Sequence, residues 1–87
     1  MFAQSSKLAN DYIALKYGAP TKEACRALMK QAASVIEGCK AAKSEVYAEG
    51  PKVHGARQQS RLDLLDMWEM KASAVFDNAM EMMARAA

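Results

Sequence analysis

Apolar residues recur along most of the chain at alternating spacings of three and four residues. One series consists of Cys25, Leu28, Ala32, Val35, Cys39, Ala42 and Val46. A second series consists of Leu65, Trp68, Ala72, Val75, Ala79, Met82 and Ala86. Each series sustains a heptad pattern over three repeats, which predicts two long helices packed together at a shallow angle.

A shorter apolar pattern precedes the two long ones. Leu8, Tyr12 and Leu15 share one side of a helix that we predict over 3–17. The Gly-Ala-Pro sequence at 18–20 breaks this helix, because proline lacks the amide proton that a helix interior requires. The first helix is therefore short and joins the second through a tight turn.

Capping residues set the limits of the helices. Thr21 is a typical N-cap for the second helix, and Gly50 followed by proline is a typical helix end. Ser60 and Asp63 have the spacing of a capping box for the third helix, with an alternative start one turn earlier, near Ala56. The predicted helices are 3–17, 22–49 and 57–86.

The residue composition supports an all-α fold. The 87 residues include 18 alanines and only seven β-branched residues, whereas a β-sandwich or barrel depends on β-branched and aromatic side chains. We predict a single domain over 1–87, in which the two long helices form an antiparallel hairpin and the first helix packs along it as a three-helix bundle. A core rich in alanine is thin for so small a chain. We therefore expect a homo-oligomer or a complex with another protein.

Methionine is concentrated on the third helix, where five of the seven methionines lie between positions 67 and 83. Because methionine is common on adaptable binding surfaces, we predict a partner or self-association surface. Its residues are Met67, Met70, Phe76, Met80 and Met83. Two alternatives stay open, since the first helix can cover this stripe or the methionines can bind a cofactor. No histidine or cysteine accompanies them in metal-ligand order, so we predict no metal and no cofactor.

Basic residues are concentrated around the predicted second loop, although the net charge of the chain is only +2. The candidate patch consists of Lys52, His54, Arg57 and Arg61. Such a patch can contact phosphates, so a nucleic-acid-associated protein is the second alternative function. The simpler interpretation is that opposite charges pair between neighbouring helices. Since no recognition helix or aromatic stacking platform is evident, we do not expect a nucleic-acid partner.

The chain contains little catalytic material. Cys25 and Cys39 are 14 residues apart, which corresponds to roughly 21 Å along one helix, too far for a disulfide. We predict free, buried cysteines in a cytoplasmic protein. The single histidine, His54, has no nucleophile or metal-ligand motif associated with it. We therefore expect no enzymatic activity, and no segment is long and apolar enough to predict a membrane span.

The turn between the first two helices is a candidate anion site. Backbone amides at the start of the second helix, with the side chains of Lys22 and Arg26, can hold a phosphate group, and Tyr17 can stack on a base. The candidate site for a small phosphorylated ligand consists of Tyr12, Tyr17, Thr21, Lys22 and Arg26.

The sequence Pro-Thr-Lys-Glu at 20–23, followed by Ala27 and Leu28, resembles the turn in a family of helical-hairpin phage proteins that sequester cyclic-nucleotide signals. The similarity covers nine of the 87 residues, and we transfer no site residue from it. Members of that family are small, all-helical and oligomeric. The resemblance implies the first alternative function, an oligomeric protein that captures a small cyclic nucleotide.

The apolar and methionine patterns together favour a different function. We expect a non-catalytic helical interaction protein, such as an adaptor, an inhibitor or an assembly subunit. Its partner would be another protein or a second copy of itself. It would act through the methionine-rich face of the third helix.

Overall fold

A computed structural model describes residues 2–18, 20–50 and 55–86, without the side chains of 2–5 and 56. It contains three helices, which are α1 (Phe2–Tyr17), α2 (Lys22–Ala48) and α3 (Ala56–Arg85). Each observed boundary lies within one residue of the predicted one. The all-α prediction is confirmed, and none of the three helices has a stretch long and apolar enough to cross a membrane.

The molecule is elongated, with extents of 55 × 17 × 16 Å. Helices α2 and α3 contain 27 and 30 residues and form an antiparallel hairpin. Helix α1 contains only 16 residues, or roughly 24 Å of helix, so it packs along about half of the hairpin. The hairpin end near the second loop therefore consists of two helices alone.

The core follows the predicted heptad series. Its buried residues are Leu8, Cys25, Leu28, Ala32, Val35, Cys39, Val46, Leu65, Ala72 and Ala79. Side chains of alanine and cysteine occupy half of these positions, which lets the helices approach closely but limits the apolar area that each contact removes from water. Both cysteines are fully buried and neither forms a disulfide, as predicted.

The ends of α2 follow standard capping chemistry. The Thr21 Oγ1 atom accepts a hydrogen bond from the Ala24 amide at 3.1 Å, which satisfies one unpaired donor of the first turn. Gly50 follows α2 with a φ angle of +76°, a conformation that glycine adopts without steric cost. Both features confirm the sequence prediction.

The start of α3 corrects one expectation. The Ser60–Asp63 capping box does not form, because α3 begins at Ala56 with Gly55 as its N-cap and Ser60 lies inside the helix. The side-chain amide of Gln58 donates to the Gly50 carbonyl at 2.9 Å. This bond ties the first turn of α3 to the end of α2, so the helix extends one turn further than the capping box would allow.

Two polar contacts attach α1 to the hairpin. The Gln31 side-chain amide donates to the Asp11 carboxylate at 2.8 Å, and the Asn78 amide donates to the Tyr12 hydroxyl at 3.1 Å. The bond from Gln31, supported by Lys7, lowers the pKa of the Asp11 carboxyl. Helix α1 therefore contacts both long helices on one side of the hairpin.

Candidate functional site

The three outward methionines of α3 are accessible to solvent. The exposed fractions are 69% for Met70, 45% for Met80 and 37% for Met67. Helix α1 therefore does not cover them, which removes one of the two alternatives to a binding surface. Phe76 and Met83, the other two residues of the predicted surface, are half-buried.

The five predicted residues lie on different sides of α3. Met67 and Met80 are 13 residues apart, so at 100° per residue they point about 140° away from each other around the helix axis. Met67 lies beside Leu64, which is also exposed. Phe76 and Met83 flank Met80 on the opposite side. The residues that were expected to form one surface therefore form two separate apolar surfaces on the same helix.

One of these surfaces lies on the side of the hairpin that α1 leaves open. Gln31 and Asn78 mark the α1 side, because they bond to α1 residues. Ile36 lies about 140° from Gln31 around α2, and Phe76 lies about 160° from Asn78 around α3. Both side chains pack against the edge of the core and face away from α1.

We call this open side of the hairpin the uncovered face. It consists of Met29, Ala33, Ile36, Phe76, Met80 and Met83. All except Met80 are half-buried, and Met80 is exposed. The face is apolar, extends across both long helices, and lies where none of the three described helices packs against it.

The α2 half of this face is not part of the surface predicted from the sequence. Met29 and Ile36 are one position beyond the core residues Leu28 and Val35. Their spacing of seven residues is the signal that identifies them as a second apolar line on α2. The sequence alone does not say on which side of the hairpin that line lies, because the position of α1 decides it.

The two long helices carry different charges beside the uncovered face. On α2 the exposed residues next to it are Arg26, Lys30, Glu37 and Lys40. On α3 they are Asp66 and Asp77. The α2 edge is therefore mainly basic and the α3 edge acidic.

An ion-pair cluster closes one end of the uncovered face. The Lys43 ammonium donates to Asp66 at 2.7 Å and also contacts Glu69. Hydrogen bonds to these two carboxylates raise the pKa of Lys43 above its usual range. Arg61 pairs with Glu49 at 3.4 Å further along the hairpin. These contacts confirm the prediction that opposite charges pair between neighbouring helices.

The candidate basic patch is not assembled in the described part of the chain. Lys52 and His54 lie outside the described residues. Arg57 is exposed, and Arg61 is engaged by Glu49. Of the candidate patch, the described part of the chain contains only Arg57 and Arg61, so the patch as a whole stays a prediction.

The candidate anion site at the first turn is open to solvent. Tyr17 is 81% exposed, Lys22 and Arg26 are exposed, and the Thr21 hydroxyl is used as the helix cap. The Lys16 ammonium lies 6.0 and 5.9 Å from the ring centres of Tyr12 and Tyr17.

A cleft of about 670 Å³ lies beside this turn, between α1 and the end of α3. Its lining residues are Tyr12, Lys16, Pro20, Asn78, Glu81, Met82, Arg85 and Ala86. Tyr12 is the one predicted turn residue that lines it. The cleft brings two cations and one carboxylate together, a combination that the sequence pattern did not reveal because α3 supplies half of it.

Groups that bind metals or act as nucleophiles are sparse in the described residues. No cluster of three histidine, cysteine, aspartate or glutamate side chains able to hold a metal ion occurs among them. Burial raises the pKa of the Cys39 thiol, which keeps it protonated and unreactive at neutral pH.

Comparisons of this chain with protein-family models, with curated proteins and with solved structures give no match. Its function is therefore inferred from its own residues and geometry.

Proposed function

We propose that this protein is a non-catalytic helical interaction protein that works by burying one of the two apolar surfaces of α3 against a partner. One observation supports the proposal. Met67, Met70 and Met80 are exposed on a helix whose core-facing side is already packed. Helix α1 is in place and leaves them accessible.

The chemistry of methionine suits this role. Its thioether side chain is flexible and polarisable, so it adapts to irregular apolar partners. Exposed apolar patches on small proteins are often interaction sites. The core of this chain also consists largely of small residues, so burial of a further apolar surface would add stability that the isolated bundle lacks.

Replacement of Met67, Met70 and Met80 by glutamate tests the proposal. We expect the triple variant to have a lower mass in sedimentation velocity, or to lose the proteins that wild type retains from its host extract, with the helix content by circular dichroism unchanged. Buried apolar surface at an interface does not tolerate a charged side chain.

The matched control carries three glutamates at exposed polar or small positions on α1 and α2, which are Asn10, Ala41 and Ser44. It should behave like wild type, because those positions lie away from the apolar surfaces. If the methionine variant retains both the mass and the partners of wild type, the proposal is wrong.

A second candidate function is the capture of a small phosphorylated ligand. The cleft beside the first turn supports it, because Lys16 and Arg85 both line it. Isothermal titration with inorganic phosphate and with a nucleoside monophosphate tests this candidate. We expect binding to weaken by about tenfold on Arg85→Ala if the cleft is the site, with Arg57→Ala as the control. Absence of binding by wild type would exclude these ligands.

A further inference from the structure

We infer that the uncovered face binds a second copy of this chain, with α2 of each copy lying against α3 of the other. The inference rests on the proposed function in one respect, since it takes an exposed apolar surface as an interface. It goes further by naming the occupant and its orientation. The α2 half of the face, with Met29 and Ile36, is as much a part of the interface as α3.

The register of α2 and α3 places the two halves of the uncovered face at the same level of the hairpin. The ion pair between Lys43 and Asp66 fixes which levels of the antiparallel hairpin lie side by side. Met29 is 14 residues before Lys43 and Met80 is 14 residues after Asp66. The two methionines therefore lie at about the same level. The α2 and α3 halves form one patch roughly two helical turns long rather than two separated ones.

The two edges of the patch carry opposite charges. The α2 edge carries Arg26, Lys30 and Lys40, together with one acidic residue, Glu37. The α3 edge carries Asp77 and Asp66, and Asp66 is already paired with Lys43 of the same copy. The surface is therefore apolar in the middle, mainly positive along one side and negative along the other, where Asp77 is the unpaired carboxylate among the residues described.

This asymmetry makes the surface complementary to itself in one orientation. A two-fold axis parallel to the long axis of the hairpin places α2 of one copy on α3 of the other, so each basic edge meets an acidic edge. A two-fold axis across the hairpin would place α2 on α2 and bring like charges together. The charges therefore favour the first arrangement, in which all neighbouring helices in the interface are antiparallel.

The size of the patch sets the strength of the expected dimer. A standard interface takes roughly 20–30 residues, or about 800 Å² of surface, from each partner. The six apolar side chains of the uncovered face make a smaller interface than that. We therefore expect a dissociation constant on the order of micromolar. Dimerisation should be visible as a concentration-dependent mass.

Sedimentation equilibrium of the full chain with two single variants tests the location of the interface. Met80→Glu places a charge in the uncovered face and should weaken the dimer by about tenfold or more. Ala74→Glu is the matched control, because Ala74 is exposed but points about 120° away from Met80 around α3. It should leave the dissociation constant unchanged.

Charge reversal at the edges tests the orientation. Lys30→Glu and Asp77→Lys should each weaken self-association, because each places like charges on facing edges. An equimolar mixture of the two variants should regain a dimer, since the mixed dimer has an opposite-charge pair at both symmetric positions. Recovery in the mixture also shows that neither variant has lost its fold.

Several results would overturn the inference. The first is a wild-type chain that stays monomeric at all concentrations. The second is a dimer disrupted by Ala74→Glu and not by Met80→Glu, and the third is a dimer strengthened by Lys30→Glu alone. A monomeric wild type that loses a different protein partner when its three exposed methionines are replaced would refute this inference and leave the proposed function intact. Loss of neither mass nor partner would refute both.

Discussion

At the residue scale, the glycine inside α2 and the glycine that follows α2 have opposite roles. Gly38 lies inside the helix, and an added Cβ atom there would meet no other atom within 4 Å. Gly50 follows the helix end with a positive φ angle, where a Cβ atom strains the backbone. Gly38 thus costs stability through backbone entropy, whereas Gly50 is required by the turn.

Substitution by alanine should therefore change stability in opposite directions at the two sites. We expect Gly38→Ala to raise the free energy of unfolding by about 0.5–1 kcal/mol. Gly50→Ala should lower it by about 1 kcal/mol. Urea unfolding followed by circular dichroism measures both. A stabilising Gly50→Ala would show that the turn does not need the left-handed conformation.

At the element scale, the ion-pair cluster of Lys43 with Asp66 and Glu69 couples α2 to α3 in a pH-dependent way. Hydrogen bonds in the folded state raise the pKa of Lys43. Its contribution to stability is therefore fully present below the ordinary lysine pKa of about 10.4. It is lost as pH rises through the folded-state pKa, because the neutral amine no longer attracts the two carboxylates.

The corresponding prediction compares Lys43→Met with wild type across pH. The variant should be less stable than wild type at neutral pH, and the difference should shrink above about pH 10.4. Thermal unfolding at a series of pH values measures this difference. Lys40→Met is the control, because it removes a neighbouring ammonium that makes no ion pair in the described part of the chain. A constant difference for Lys43→Met would contradict the account.

The limits of sequence-based prediction also appear at this scale. The helix boundaries and the core could be predicted because heptad spacing, the Thr21 cap and the Gly50 turn are local signals. The uncovered face could be predicted only in part. Which side of the hairpin stays open depends on where α1 packs, and the bonds that set this, from Gln31 and Asn78, join residues far apart in sequence.

The same reason explains why the sequence pattern does not divide the outward methionines into two surfaces. Met67, Met70 and Met80 share the outer half of a helical projection, which does not separate the α1 side from the open side. The sequence pattern does not reveal the cleft beside the first turn, because α3 contributes Arg85 and Glu81 to it from the opposite end of the chain. Local patterns specify elements, and long-range packing decides which surfaces they leave exposed.

At the scale of the whole molecule, the protein is a narrow bundle that is covered on one side and open on the other. Helix α1 shields one side of half the hairpin, and the uncovered face remains on the opposite side. The small side chains of the core let the helices pack closely but leave little apolar area buried within one copy. Association with a second copy lets such a molecule bury more apolar surface.

The most direct test of this account is a methionine oxidation footprint of the wild-type chain, measured by mass spectrometry after dilute peroxide at increasing protein concentration. Oxidation to the sulfoxide depends on exposure of the thioether. The account predicts that Met80 becomes protected as the protein associates, whereas Met67 and Met70 stay reactive. Oxidation of all three methionines at rates independent of concentration would contradict it, since none of these surfaces would then be buried against a second copy.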